Sequence, residues 1–290
     1  MAETLVDALS QQRWLDPAAD ATAKAVRASY EAGGPGGAAL KNLLHGVSLG
    51  HPLHPVLTDI PIGAWTAALV LDACEASTGD AAYGRGADVA IATGLVGAAG
   101  AAITGLTDWS ETDGAARRVG MIHGLLNVAA TSLLATSYLL RRADSRPAAR
   151  GFAAVGFAVA TASAYLGGSL VYRDRIGVTH ADDSAPDDYV RVAASAEIPE
   201  GTMRQVDASG TAVLVVRQHG TLCVVGQHCT HLGGPLSEGE LKDGSVVCPW
   251  HGSEFDLRNG RVVNGPATHP LPCYDVRERD GSIEVGPMRA

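Results

Sequence analysis

Between residues 56 and 172 the chain is dominated by Ala, Gly, Leu and Val, with charge-free stretches at 89–107, 119–140 and 151–172. Each is long enough to cross hydrocarbon, which takes about 20 apolar residues at the helical rise. A fourth candidate, LTDIPIGAWTAALVLDACEA at 57–76, is weaker, because Asp59 and Asp72 bracket a charge-free core of only 60–71. We count it, and expect a four-helix transmembrane bundle. The alternative is a buried soluble bundle with the same small-residue faces, but four uninterrupted apolar helices in so short a length exceed what a soluble core requires. Gly94, Gly97, Gly100, Gly167 and Gly168 suit close helix contact in lipid, where packing holds helices together.

On either side of this region the composition changes. Residues 1–44 form a polar, amphipathic segment in which Leu5, Val6, Leu9 and Trp14 have rough helical spacing, followed by glycines at 33–37 that read as a hinge. Acids near its start and the lack of an apolar core before a small-residue cleavage site imply that this segment stays on the mature protein. The helical domain is then expected at 45–172 and a polar, acidic linker at 173–188. Beyond it, at 189–290, short runs such as AVLVV and TLCVV alternate with His219-Gly220, Asn259-Gly260 and Asp280-Gly281, where tight turns between strands are expected. That pattern predicts a small all-β domain.

The chemistry lies in this β region. Cys229 and His231 stand one residue apart, Cys248 and His251 two residues apart. Two thiolates and two imidazoles suit a tetrahedral zinc, which more often takes its ligands as Cys with Cys and His with His. A two-iron, two-sulfide cluster explains the mixed pairs: one iron takes a cysteine from each loop, the other a histidine from each. Replacing two thiolates by neutral imidazoles removes negative charge and raises the reduction potential. Nucleic acid is excluded as a partner, since the net charge of −9 offers no basic face for phosphates.

CTHLGGPLSEG and CPWHGSEFDLRNG resemble the two cluster-binding loops of Rieske-type ferredoxin domains, and the likeness extends over about 189–286, including NGPATHPLPCYDV. The resemblance implies a β sandwich with a [2Fe-2S] cluster at one tip, its imidazoles near solvent, held by Cys229, His231, Cys248 and His251. Rieske proteins of cytochrome bc complexes carry a disulfide between the two loops; this chain has Gly234 and Trp250 at those places. Ser253 matches a serine that hydrogen-bonds cluster sulfide in that family, whereas Phe255 stands where a tyrosine often does the same. Fewer hydrogen bonds to sulfur imply a lower potential than in the respiratory type. The pattern is similar to ferredoxins that feed dioxygenases, without the further domain that holds a catalytic non-haem iron. Cys74, Cys223 and Cys273 have no ligand spacing and are expected to be free, and His228 falls outside the pattern.

The membrane region has a signature of its own: HGVSLGHPLHPVLTDIPIGAW, then GLTDWSETDGAARRVGMIHGLLN. It resembles an uncharacterised family of bacterial four-helix membrane proteins that share an HPxHP motif and a later histidine, a likeness that implies topology and little function. His123 lies inside the third apolar stretch, where ionisable groups are rare and often functional, and His51 and His54 each precede a proline at the start of the first. Histidines on facing helices can clasp haem b, as bundle-core cofactor sites do; the other reading is a hydrogen-bonded histidine at the membrane boundary. Asp59 and Asp108 are either proton or quinone partners or helix-end residues. Basic residues near the membrane are balanced between the two sides, so charge does not orient the chain. The missing disulfide favours a cytoplasmic Rieske domain, with Arg141-Arg142 as a twin-arginine signal the opposing reading.

Together these features predict an electron carrier of the bacterial cell membrane rather than a stand-alone enzyme. It serves a reductase, oxygenase or respiratory partner, with haem b or quinone as a further relay in the bilayer. The alternatives are a ferredoxin for which the helices are only a tether, and a zinc-stabilised interaction module.

Overall fold

The computed structural model describes residues 2–182 and 184–289. Met1, Asp183 and Ala290, at the ends of the expected segments and in the expected linker, lie outside the described residues. The chain divides into two compact units: Met1–Gly37 with Leu53–Asp174, and Ala38–Pro52 with Arg175–Ala290.

The first unit is helical. After α1 (Ala2–Ser10) and α2 (Asp16–Ala32), a third helix, α3 (Gly34–His45), belongs to this unit only as far as Gly37. Four long helices follow, α4 (Leu53–Thr78), α5 (Ala81–Trp109), α6 (Gly114–Arg142) and α7 (Arg146–Tyr172), each long and apolar enough to cross a membrane. Their outward faces are apolar, and the interior mixes apolar side chains such as Trp65, Ile91 and Leu134 with polar ones. Large apolar side chains point outward, Val96 being 77% exposed, while Thr104, Thr107, Ser137, Ser163, Asp72 and Arg141 are buried. Water would penalise that arrangement and lipid favours it, because a bilayer solvates apolar surface and leaves polar groups to pair internally.

The weakest expected span is the 26-residue helix α4, longer than its charge-free core suggested. It tolerates Asp72 because the Arg141 guanidinium donates to Asp72 and also reaches Asp88 at 3.1 Å. Arg146 donates to Asp88 at 2.7 Å and Arg150 to Glu75 at 2.6 Å, so α4–α7 share one ion network. The small residues act as expected at Gly94, which admits the Trp65 ring, and at Gly97, which admits Ile60 and Pro61; Gly168 has only the edge of Tyr172 nearby and makes no such contact.

Near the N-terminus Val6 packs on Val119 and Leu166, with Leu9 beside them, but Trp14 is 74% exposed and does not share that face. A separate turn at Arg13–Leu15 rotates it away. The glycine run expected to act as a hinge ends where the first unit's N-terminal segment ends, at Gly37. Gly34, at φ 53°, makes a single break between α2 and α3, and Gly36 and Gly37 continue the helix.

Among the described residues, the second unit is an antiparallel β structure of three sheets. One contains β1 (Val190–Ala194), β9 (Tyr274–Arg279) and β10 (Ser282–Met288), in the order β1-β10-β9. Another is β2 (Met203–Ala208), β3 (Thr211–Gln218) and β4 (Thr221–Gly226). The last is the meander β5 (Glu240–Lys242), β6 (Ser245–Val247), β7 (Glu254–Asp256) and β8 (Val262–Asn264). β3 is buried on both faces: Val213 and Val215 join a core with Tyr274 and Ile283, while Leu214 and Val216 join one with Phe255, Cys229 and Cys248. The alternation of the strand thereby serves two layers at once.

His219-Gly220 and Asp280-Gly281 both have positive φ and close the β3–β4 and β9–β10 hairpins, as their residue types predict. The expected linker, by contrast, is bonded along the β structure. His180 N–H donates to the Thr230 carbonyl at 3.0 Å, and Tyr274 Oη to the Ser184 carbonyl at 3.1 Å. The segment Ala38–Pro52 is also part of this unit, held by Asn42, which accepts from Gly265 N–H at 2.9 Å and donates to Asn264 at 3.0 Å.

Candidate functional site

Two loops at one end of the meander carry the mixed cysteine and histidine pairs. The first follows β4, the second joins β6 to β7, and their backbones close in the same way. Cys229 N–H donates to the carbonyl of Gly234 at 2.9 Å, and Gly233 N–H returns a bond to the Cys229 carbonyl at 2.9 Å. In the second loop Cys248 N–H donates to Ser253 at 2.8 Å, and Gly252 N–H to Cys248 at 3.1 Å. Each loop therefore folds the five residues after its cysteine into a knot, and the glycine at the fourth of them has positive φ, 79° at Gly233 and 73° at Gly252.

The knots turn backbone N–H groups onto sulfur. His231 N–H donates to Cys229 Sγ, and Trp250 and His251 N–H donate to Cys248 Sγ. Both cysteines are buried, and their thiols share a hydrogen bond. Accepting it, together with the backbone N–H groups, draws Cys248 below the ordinary thiol value against the cost of burial, while donating it and burial push Cys229 up. The imidazoles of His231 and His251 meet edge to face with centroids 5.0 Å apart. Thiol is thus paired with thiol and imidazole with imidazole.

The two histidines are half-buried, each keeping part of its surface in solvent. His231 Nδ1 is sealed with no hydrogen-bond partner, and burial, then the neighbouring His251, lowers its pKa well below the ordinary value. His45, His180 and Lys41 also act electrostatically on the same ring, although they lie far from it in the chain.

Around the sulfurs, Ser253 is fully buried. Its Oγ accepts from Ala267 N–H at 3.0 Å and its hydroxyl bonds Cys229 Sγ. A Cβ on Gly234 would fall 2.7 Å from Cys248 Sγ and 3.1 Å from the Trp250 ring, so these two positions face each other without any cross-link. Phe255 is fully buried in the core that also holds both cysteines. Trp250 is 55% exposed beside His251. Cys74, Cys223 and Cys273 are free thiols, and His228 forms a strand-like pairing with Pro235 that closes the first loop.

In the helical unit His54 and His123 approach with ring centroids 6.5 Å apart. His51 is exposed, its Nδ1 3.1 Å from the Pro52 carbonyl, and lies in the other unit. Asp59 is exposed and Asp108 half-buried.

Residues 188–275 match the family described as Rieske [2Fe-2S] domain, and residues 50–180 the family described as predicted membrane protein (DUF2231). Over 98 residues the chain is 33% identical to Ferredoxin CarAc of Metapseudomonas resinovorans, covering 33% of this chain and 92% of that protein. The chain belongs to the Rieske [2Fe-2S] family. Its Rieske domain is also 34% identical over 94 residues to the cytochrome b6-f complex iron-sulfur subunit of Chlorobaculum tepidum, covering 32% of this chain and 51% of the subunit. A third relative is apoptosis-inducing factor 3 of Homo sapiens, 33% identical over 114 residues, which are 39% of this chain and 19% of that protein. The chain thus spans about a fifth of the length of apoptosis-inducing factor 3 and about half that of the b6-f subunit.

Proposed function

We propose that the chain is a membrane-bound electron carrier in which Cys229 and Cys248 hold one iron of a [2Fe-2S] cluster and His231 and His251 the other. The observation that carries this reading is the matched pair of loop knots, which sets two buried thiols against each other and two imidazoles beside them. His231 Nδ1, buried without a partner, is a nitrogen that metal ligation would satisfy. A mononuclear zinc fits less well. Among the described residues no three His, Cys, Asp or Glu side chains converge on one point, whereas a two-iron cluster needs only two protein ligands at each iron.

When bound, the cluster supplies storage of one electron; the chain's own residues set its potential and access. Backbone N–H groups of His231, Trp250 and His251 and the Ser253 hydroxyl stabilise negative charge on sulfur. Neutral imidazoles raise the potential above that of an all-cysteine ferredoxin, while the missing loop disulfide and the lack of a hydroxyl on Phe255 keep it below the respiratory type. Exposed Trp250 beside His251 offers a flat apolar contact for a redox partner, whether reductase, oxygenase or respiratory component. The four apolar helices hold the carrier in the bilayer and extend transfer to haem b or quinone. The second reading, a tethered ferredoxin serving an oxygenase, is favoured by the near-complete coverage of Ferredoxin CarAc. We place the Rieske domain on the cytoplasmic side, since Gly234 and Trp250 leave the two loops without a stabilising disulfide.

Iron and acid-labile sulfide analysis of the detergent-purified full chain, with electron paramagnetic resonance after reduction, tests the assignment. Two irons and two sulfides per chain and a low average g value are expected, lost on Cys229→Ser or His251→Ala. Bound zinc, or a signal of the all-cysteine type, rejects it.

A further inference from the structure

Two histidines of the helical unit are mounted in the same way. Near the start of α4, His54 brings Nδ1 to 2.8 Å from the carbonyl oxygen of Ala101 on α5. On α6, His123 brings Nδ1 to 2.8 Å from the carbonyl oxygen of Ser163 on α7. Four residues beyond each carbonyl stands a glycine. A Cβ on Gly105 would fall 2.7 Å from the His54 ring, and one on Gly167 would fall 3.0 Å from the His123 ring. Each helical hairpin therefore beds one imidazole against its second helix, on a carbonyl and a glycine at the same spacing.

The hairpins α4–α5 and α6–α7 are each closely packed within themselves and touch each other less. Across that seam the two imidazoles lie with centroids 6.5 Å apart and planes at 90°. A carbonyl only accepts, so Nδ1 carries the proton in both rings and Nε2 keeps its lone pair. Asn127 Nδ2 lies 3.1 Å from His123 Nε2 and holds that lone pair, so ligation at this ring requires the Asn127 side chain to turn away. Ser163 Oγ, 2.9 Å from Nδ1 and bonded to the His123 carbonyl, locks the same ring from the other side. Imidazoles whose outer N–H is pinned to a backbone carbonyl are the usual form of metal-binding histidine.

The separation suits a shared iron. With metal–nitrogen bonds of about 2 Å and a little over 1 Å from nitrogen to ring centre, two imidazoles on one metal hold their centroids about 6 Å apart. Among the described residues no third His, Cys, Asp or Glu joins the pair, so an ion held by protein alone would lack ligands. A haem brings four equatorial nitrogens and requires two from the protein. The geometry points to a haem b site in the seam between the two hairpins, with His54 and His123 as axial ligands. Its role as a second one-electron centre rests on the reading of the chain as an electron carrier; its existence does not.

The test uses the full chain from cells supplied with haem precursor, purified in detergent, with haem content and cluster resonance measured on one sample. One haem per chain and a low-spin, six-coordinate reduced-minus-oxidised spectrum are expected. His54→Ala and His123→Ala should each retain less than a tenth of the haem with the cluster signal unchanged. His123→Met, which keeps an axial donor, should retain haem with a shifted spectrum, and this reads ligation even where an alanine variant fails to fold. Wild-type protein with its cluster but no haem overturns the proposal, as does haem retained with an unchanged spectrum in all three variants. Haem without a cluster leaves the site standing and removes the electron-carrier reading instead.

Discussion

Ser253→Ala separates two duties that the structure assigns to one hydroxyl. Ser253 Oγ accepts the Ala267 N–H at 3.0 Å and its proton goes to Cys229 Sγ, in a position with no access to solvent. A hydrogen bond to a charged acceptor contributes about 1.5–3 kcal/mol, and reduction of the cluster strengthens it because sulfur gains negative charge. If about half of that value depends on redox state, the loss is about 0.7–1.5 kcal/mol of preference for the reduced form. At about 59 mV per 1.4 kcal/mol for one electron, the potential falls by about 30–65 mV. Separately, the Ala267 N–H is left buried without an acceptor, which costs about 1–3 kcal/mol of stability. Redox titration followed by electron paramagnetic resonance, alongside thermal unfolding, measures both, and Ser253→Thr, which keeps the hydroxyl, should restore most of each. An unchanged or higher potential in Ser253→Ala refutes the sulfur bond. A stability loss with unchanged potential would show that the hydroxyl serves the backbone alone.

Phe255→Tyr should shift the potential upward, opposite in sign to Ser253→Ala, by placing a hydroxyl in the core that holds both cysteines; a lower unfolding temperature with no shift would mean the hydroxyl is buried without reaching sulfur. Asp72→Leu should cost about 3–5 kcal/mol in detergent by leaving Arg141 buried without its main partner, and Asp72→Leu with Arg141→Leu should cost less than the single change; an additive or worse double variant argues against the pair. Burial alone would raise the Glu254 pKa, but hydrogen bonds from Ser245 and Asn264 and the Lys242 charge hold it below its ordinary 4.5. Its contribution is thus complete above the unfolded pKa and disappears as pH falls through the lower folded one, so Glu254→Gln should flatten the acid limb of stability below the ordinary carboxylate value, and an acid limb identical to wild type rejects it.

The cysteine and histidine spacings and the four apolar stretches were legible in the sequence because their physics is local. A ligand loop needs its donors within a few residues of each other, and a membrane span needs about 20 apolar residues in succession. The hairpin turns at His219-Gly220 and Asp280-Gly281 belong to the same class, since only two dihedral pairs decide them.

What the tertiary structure alone decided involves partners far apart in the chain. Asp72 weakened the first span on paper, and Arg141 on another helix is what makes it tolerable. Trp14 fits a helical stripe by spacing, yet the turn at Arg13–Leu15 rotates it into solvent. His45, His180 and Lys41, all far from His231 in the chain, act electrostatically on its ring. Asn42 joins Ala38–Pro52 to the β unit through Asn264 and Gly265, across a separation that no local pattern encodes. His54 and His123 were visible as candidates, but their common mounting on Ala101 and Gly105 and on Ser163 and Gly167 was not. Alanine, serine and glycine are unremarkable in an apolar helix. They acquire meaning only when packing brings a backbone carbonyl to an imidazole and leaves room for its ring.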